Sequence, residues 1–234
     1  YLGNQFRTDM VVYEITLDAR RVNVSSDGFW IRRAGQTLAE AMTLAGGRLL
    51  DIEFNEIKSG YRLRYAEEDL KAYVDVFLFD SLSSGAGYCS ALAERTRELM
   101  GETRKVLEHC SAGCDSACHE CLMHYWNQRV HGLLDRFAAL ELLKWCESSE
   151  LPPELAYDRQ EELLEPLNAM GAEYKIVGDG VQHYVRMRNK TSRVVAYPAM
   201  WSENLLPDGV ITLADKLLKY ALPKADEIIR AKTK

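Results

Sequence analysis

With 234 residues, 47% of them hydrophobic and 27% charged, the chain is long enough to bury one large core or two small ones, which excludes disordered and collagen-like classes. No apolar run approaches the ~20 residues of a bilayer span, and the opening "YLGNQFRTDMVVYEI" has no basic-then-apolar signal pattern, so a soluble, cytoplasmic protein with no membrane partner is expected. A net charge of -6 argues against a chain-wide nucleic-acid footprint and leaves room only for local basic patches. The start at Tyr1, in mid-pattern and without Met, reads as a piece of a longer polypeptide.

In chain order, "TDMVVYEITL" alternates Val11, Tyr13, Ile15 and Leu17 at period two and predicts a half-buried strand. Thr37 with Glu40 has capping-box spacing, predicting a short helix "LAEAMTLA" that stops at Gly46-Gly47. "RLLDIEFNEI" and "KAYVDVFLFD" follow as strands, the second nearly continuous in apolar residues and therefore central. From Cys89 to Leu107 the apolar period becomes helical, and this amphipathic helix delivers the chain to "HCSAGCDSACHEC". Beyond that cluster, "LLDRFAALELLKWC" predicts a second helix.

Between strand and helix, "LFDSLSSGAGYC" carries Gly85 and Gly87 into a helix N-terminus, where free N–H groups and the helix dipole suit a phosphate. The loop lacks the Lys-Ser/Thr of a Walker motif and the third Gly of a dinucleotide fingerprint, so a plain turn competes with a backbone-phosphate contact. No full Walker motif occurs in the chain, and no small-molecule substrate is evident.

The cysteine spacing is the sharpest signal. On one helix, Cys110 and Cys118 would stand about 12 Å apart at ~1.5 Å per residue. Thiolates sharing an ion at ~2.3 Å each must lie within about twice that distance. The helix must therefore end, with Gly113 as the residue that turns it. Cys110, Cys114, Cys118 and Cys121 make four soft ligands with no vacancy, favouring a closed structural zinc site. An iron–sulfur cluster suits four cysteines as well, and a disulfide pair suits them less. His109, His119, His124 and His131 are expected to be bystanders, and Cys89 and Cys146 core residues on apolar helix faces.

Three stretches, "LGNQFRTDMVVYEI", "FLFDSLSSGAGYCSAL" and the cysteine cluster followed by "LLDRFAALELL", together resemble the MrfA zinc-binding domain. That family lies carboxy-terminal to superfamily 2 DEAD/DEAH-box helicases, in DNA repair and in anti-phage systems such as DISARM and Druantia. The resemblance covers Tyr1 to Cys146. It implies that Cys110, Cys114, Cys118 and Cys121 hold one zinc ion per chain and that ATP hydrolysis and translocation belong to helicase motor domains, partners in cis or in trans; the residues themselves show no catalytic motif, and DNA is the further partner expected.

The second half lies outside that resemblance. "ESSELPPELAYD" predicts a linker, giving a zinc-binding domain over 1–147, a linker over 148–155 and a small module over 156–234. "RQEELLEPLNAM" predicts a helix; "AEYKIVG", "VQHYVRMRN" and "SRVVAYPAM" predict three strands with turns at Gly178-Asp179-Gly180 and Asn189-Lys190. Two closing helices are expected, the first capped by Thr212 and stopped by Pro223. Lys175, Arg186, Arg188, Lys190 and Arg193 outnumber Glu173 and Asp179 here. With Tyr184, Arg186, Arg188 and Lys190 expected on one strand face, they form a candidate nucleic-acid surface, against the plainer reading of a solvated face. The expected fold class is α+β, a mixed sheet with a helical pair clasped by the cysteines, followed by the smaller module. The competing function is an enzyme in its own right, an iron–sulfur protein or a nuclease using Glu173-Tyr174-Lys175.

Overall fold

The computed structural model describes residues 7–25, 29–53, 55–66, 70–170, 173–188 and 190–233. Strand β1 (Met10–Asp18) is followed by helix α1 (Ile31–Leu50), strands β2 (Ile57–Ala66) and β3 (Lys71–Asp80), and helices α2 (Tyr88–Glu94) and α3 (Thr96–Glu108). A 3-10 segment over Tyr125–Leu133 leads to α4 (Arg136–Ser148). Helices α5 (Tyr157–Leu164) and α6 (Leu167–Met170), strands β4 (Tyr174–Gly178), β5 (His183–Met187), β6 (Lys190–Tyr197) and β7 (Ile211–Ala214), and helices α7 (Asp215–Tyr220) and α8 (Leu222–Thr233) complete the α+β chain.

The chain separates into two units, one of residues up to Asp18 with Ile31–Glu150, the other of Ala19–Trp30 with Leu151–Lys234. In the first, β3 is central in an antiparallel sheet of order β1-β3-β2. Its inner face carries Ile15, Leu17, Val74, Val76 and Leu78, all buried with Leu38 and Met42 of α1. Helix α1 packs on this sheet and against α3 and α4.

Helix α1 starts before Thr37 and runs through Gly46-Gly47. Gly46 is a packing residue and no stop: a Cβ there would meet Leu92 Cδ1 at 2.9 Å. Thr37 is buried inside the helix, where its hydroxyl accepts the Asp135 N–H at 2.9 Å. The strand expected at "RLLDIEFNEI" is therefore mostly the tail of α1 and a turn, and the true strand is β2, seven residues on from Leu50. The long helix expected from Cys89 is broken at Arg95 into α2 and α3.

In the second unit the sheet is mixed, order β4-β5-β6-β7, with β6 and β7 parallel and the rest antiparallel. His183, Val185, Val194, Ala196, Ile211 and Leu213 fill its covered face. Segment Ala19–Trp30 belongs to this unit: Val22 bridges Trp201, the Asn23 N–H donates to the Met200 carbonyl at 2.8 Å, and Trp30 is wholly buried. Pro152, in the expected linker, accepts from the Trp201 indole N–H at 2.9 Å. Pro166 divides the expected single helix into α5 and α6, as a residue with no N–H and a fixed φ must. Thr212 sits in β7 and caps no helix. Pro223 lies in the first turn of α8, where its missing N–H has no helical partner to lose. Among the described residues no helix is long and apolar enough to cross a membrane.

Candidate metal centre and nucleic-acid face

The sulfurs of Cys110, Cys114, Cys118 and Cys121 all lie within 4.8 Å of one another. Cys110 and Cys118 are 3.5 Å apart, Cys114 and Cys121 3.7 Å, and Cys118 and Cys121 3.8 Å. A tetrahedron of sulfurs at ~2.3 Å from a central ion has edges of about 3.8 Å, so the donor set fits zinc in spacing as well as in softness. Helix α3 ends at Glu108, and Gly113 takes a left-handed φ of 60° while its N–H closes a turn on the Cys110 carbonyl at 3.0 Å. At Cys118-His119-Glu120-Cys121, the Cys118 N–H points at Cys121 Sγ at 3.2 Å, and the Cys118 carbonyl accepts from Cys121, Leu122 and Met123. An amide aimed at a ligating sulfur stabilises the thiolate that a metal requires.

Arg136 locks this loop to the helices, a role that sequence reasoning missed. Its guanidinium donates to the carbonyls of Leu107 and Glu108 at 3.1 Å each, the last two residues of α3, and to the Cys114 carbonyl through Nε and Nη2 at 3.2 and 2.9 Å. A cation at a helix C-terminus also opposes the negative end of the dipole. Asp135 beside it caps α4, accepting the N–H groups of Phe137 at 3.0 Å and Ala138 at 3.2 Å. The available signal is Asp135-Arg136 inside the predicted helix "LLDRFAALELLKWC", where an Asp ahead of an apolar run marks a helix N-cap. Arg104 adds an ion pair from α3 to Glu147 of α4.

The glycine loop has an internal occupant. Asp80, wholly buried at the end of β3, accepts the N–H groups of Ala86 at 2.7 Å, Tyr88 at 3.1 Å and Cys89 at 2.9 Å. Those are the donors a phosphate would have used at Gly85 and Gly87, so the phosphate reading of this loop is set aside. Gly85, at φ 77°, has no room for a Cβ beside the Asp9 carboxylate. Thr8 ties the chain start to the loop by donating to the Asp80 carbonyl at 2.7 Å.

The histidines stay out of the sulfur cluster: among the described residues, the candidate metal ligands grouped together are the four cysteines alone. Cys89 is buried, but Cys146 is exposed in the last turn of α4, outside the buried face formed by Ala139, Leu142, Leu143 and Trp145.

In the second unit, Lys175 pairs with Arg186 across β4 and β5, and Tyr184 with Arg193 across β5 and β6. Register places these four on one face, opposite buried Ile176, Val185 and Val194, and the three basic side chains are exposed. The expected face is corrected at its end. Strand β5 stops at Met187, Arg188 turns the chain at φ 51°, and Asn189 lies outside the described residues. Lys190 opens the return strand opposite Met187, on the face of Val185, and donates to the Thr233 carbonyl at 3.5 Å.

Comparison with known proteins agrees with the metal geometry. Residues 38–122, from α1 through the last cysteine, match the model of the family described as the MrfA Zn-binding domain. That stretch of the chain is similar to the family. The donor set of Cys110, Cys114, Cys118 and Cys121 falls inside the matched stretch and fits one zinc ion. The chain is also similar to Druantia protein DruE of Escherichia coli (strain UMEA 4076-1), 31% identical over 98% of this chain and 14% of the relative. The chain thus spans about one-seventh of that relative's length. A crystal structure of the DUF1998 helicase MrfA bound to DNA is similar at 14% identity and a TM-score of 0.39, over 52% of this chain and 15% of that one.

Within the matched stretch the four thiols are not equivalent. The Cys114 amide draws the Cys110 thiol down to about 6, while burial pushes Cys121 up to about 12 and raises Cys114. Metal binding must displace protons from the raised pair, so acid favours the thiols and weakens the site. When bound, zinc supplies cross-linking of the loop; with four sulfur ligands it leaves no open position for substrate.

Proposed function

We propose that this chain is an accessory module of a DNA helicase, in which the zinc-clasped unit braces the motor and the second unit guides DNA, in a repair or anti-phage defence setting. The observation that carries the DNA part is the open sheet face on which Lys175, Arg186 and Arg193 project around Tyr184. Three cations at strand spacing match a phosphate backbone, and a half-exposed aromatic among them offers a stacking surface. The similarity to a Druantia protein accords with this reading. The motor would lie elsewhere, on the same polypeptide or on a partner subunit.

The test is salt-dependent binding of labelled DNA by fluorescence polarisation. Arg186→Ala with Arg193→Ala should weaken binding across all sequences and lower the slope of log affinity against log salt by about 2. An unchanged slope would remove the sheet face from the DNA path. Absence of ATPase activity in the isolated chain, with ATPase stimulation when the cognate motor is added, tests the bracing role.

A further inference from the structure

A second polar site lies in the first unit, lined in part by His124 and Asn127, which follow the cysteine loop in the chain. Residues of α1, β2, the end of β3 and the 3-10 segment enclose a cavity of about 550 Å³, within the range that takes a small planar ligand. Its inner wall is polar. Glu40 Oε1 accepts from Gln36 Nε2 at 3.1 Å, and Oε2 accepts from buried Asn127 Nδ2 at 3.1 Å, with His124 Nε2 at 3.5 Å. Asn127 is fixed in turn: it donates to the Leu122 carbonyl at 2.8 Å and its Oδ1 accepts the His124 N–H at 2.9 Å. The carboxylate is therefore held in place by neutral amides and an imidazole, and each oxygen keeps a lone pair for a further donor.

The rim is of a different character. Trp126 is 63% exposed, with Tyr125 edge-on to it at 5.3 Å, although large aromatics are ordinarily covered. Arg129 and Lys58, both exposed, line the same mouth. The combination is a flat aromatic, two cations and an inward acceptor pair. It matches an unpaired nucleotide, whose base stacks, whose phosphate is anionic and whose edge carries donors.

We propose that this cavity takes a single unpaired guanine base of a DNA strand, stacked against Trp126, with its Watson–Crick edge on Glu40. Guanine is the base whose N1–H and N2–H2 stand side by side, matching the two oxygens of one carboxylate; thymine offers one donor between two acceptors. Burial holds the His124 ring down to about 4, so it is uncharged at neutral pH and does not neutralise Glu40. This inference rests on the DNA reading above but uses none of its residues.

The experiment uses the zinc-loaded 234-residue chain and labelled short oligothymidine strands with a central guanine, a central adenine or thymine throughout. The guanine strand is expected to bind about tenfold more tightly than the all-thymine strand. Trp126→Ala and Glu40→Gln should each erase that preference while zinc content and all-thymine binding stay unchanged. Equal affinity for the three strands overturns the pocket and leaves the basic face standing, as does a guanine preference that survives both substitutions. If no strand binds, the DNA reading fails, and calorimetry with guanosine monophosphate decides the pocket alone. Heat lost in Glu40→Gln upholds it, and no heat overturns it.

Discussion

Residues 109–124 and the four-stranded sheet of the second unit are ordered by different forces. Between His109 and His124 there is no helix or strand, and Leu122 alone is fully buried. In the sheet, Val185, Val194, Ala196 and Leu213 are completely covered, and every strand is paired. A stretch of this length that fully buries one apolar side chain cannot offset its own ordering entropy, so the loop depends on sulfur–metal bonds where the sheet depends on burial. The difference shows where a folded segment will respond to chemistry and where it will respond only to heat.

Removing the metal should separate the two most strongly. With a zinc chelator, or with Cys118→Ser, the loop and the junction of α3 with α4 are expected to lose amide-exchange protection while β4 to β7 keep theirs. The scale is set by structural zinc, about 10 kcal/mol or more of apparent binding energy. Elemental analysis should first find one zinc per chain; iron would break the comparison at its root. Because Cys114 and Cys121 must lose protons to bind, zinc retention should fall as pH drops, followed with a colorimetric zinc indicator.

Arg136→Ala sharpens the comparison by leaving all four sulfurs in place. It strips donors from the carbonyls of Leu107, Glu108 and Cys114, which at half-buried positions should cost about 3 kcal/mol in denaturant unfolding and speed zinc loss to a chelator. Asp75→Asn is a smaller, metal-independent control. Asp75 is buried under Arg62 and Arg64, whose guanidinium groups approach its Oδ2 at 2.6 and 2.7 Å. The Arg64 hydrogen bond, then that of Arg62, hold its carboxyl down to about 2. A lowered pKa gives stability that is present above the unfolded value near 4 and lost as pH falls towards about 2. The variant should therefore lie about 1–2 kcal/mol below the native chain at pH 6, with the gap closing by pH 2 in thermal melts. Smallest of all, Arg186→Ala with Arg193→Ala should leave melting unchanged within about 0.5 kcal/mol while altering DNA affinity.

The metal site was legible in the sequence because its constraint is local: four sulfurs in a short stretch can meet only if the helix ends. Strand β3 was legible for a similar reason, since its nearly continuous apolar run has a place only at the centre of a sheet. Strand β2 was not. "IKSGYRLRYA" pairs an inward Tyr61 and Leu63 with outward cations, and its Gly60 argues against a strand until the Phe77 ring is seen lying over it, 2.6 Å from where a Cβ would stand. The glycine loop misled in the opposite direction. Its amides do point at an anion, but the anion is Asp80, six to nine residues earlier in the chain. Arg136 and the Glu40 cavity were hidden because each draws on residues far apart in sequence, and only packing brings them together.

The passage of Ala19–Trp30 into the second unit has a consequence for how the molecule is made. Synthesis delivers Val22 well before its partner Trp201 and the sheet around it exist. The second unit therefore stays unfinished until the whole first unit has emerged, and an early segment waits as a docking strand. No single cut excises either unit. A fragment beginning at Leu151 should fail to give a cooperative melt by circular dichroism, and adding a peptide spanning 19–30 should restore one.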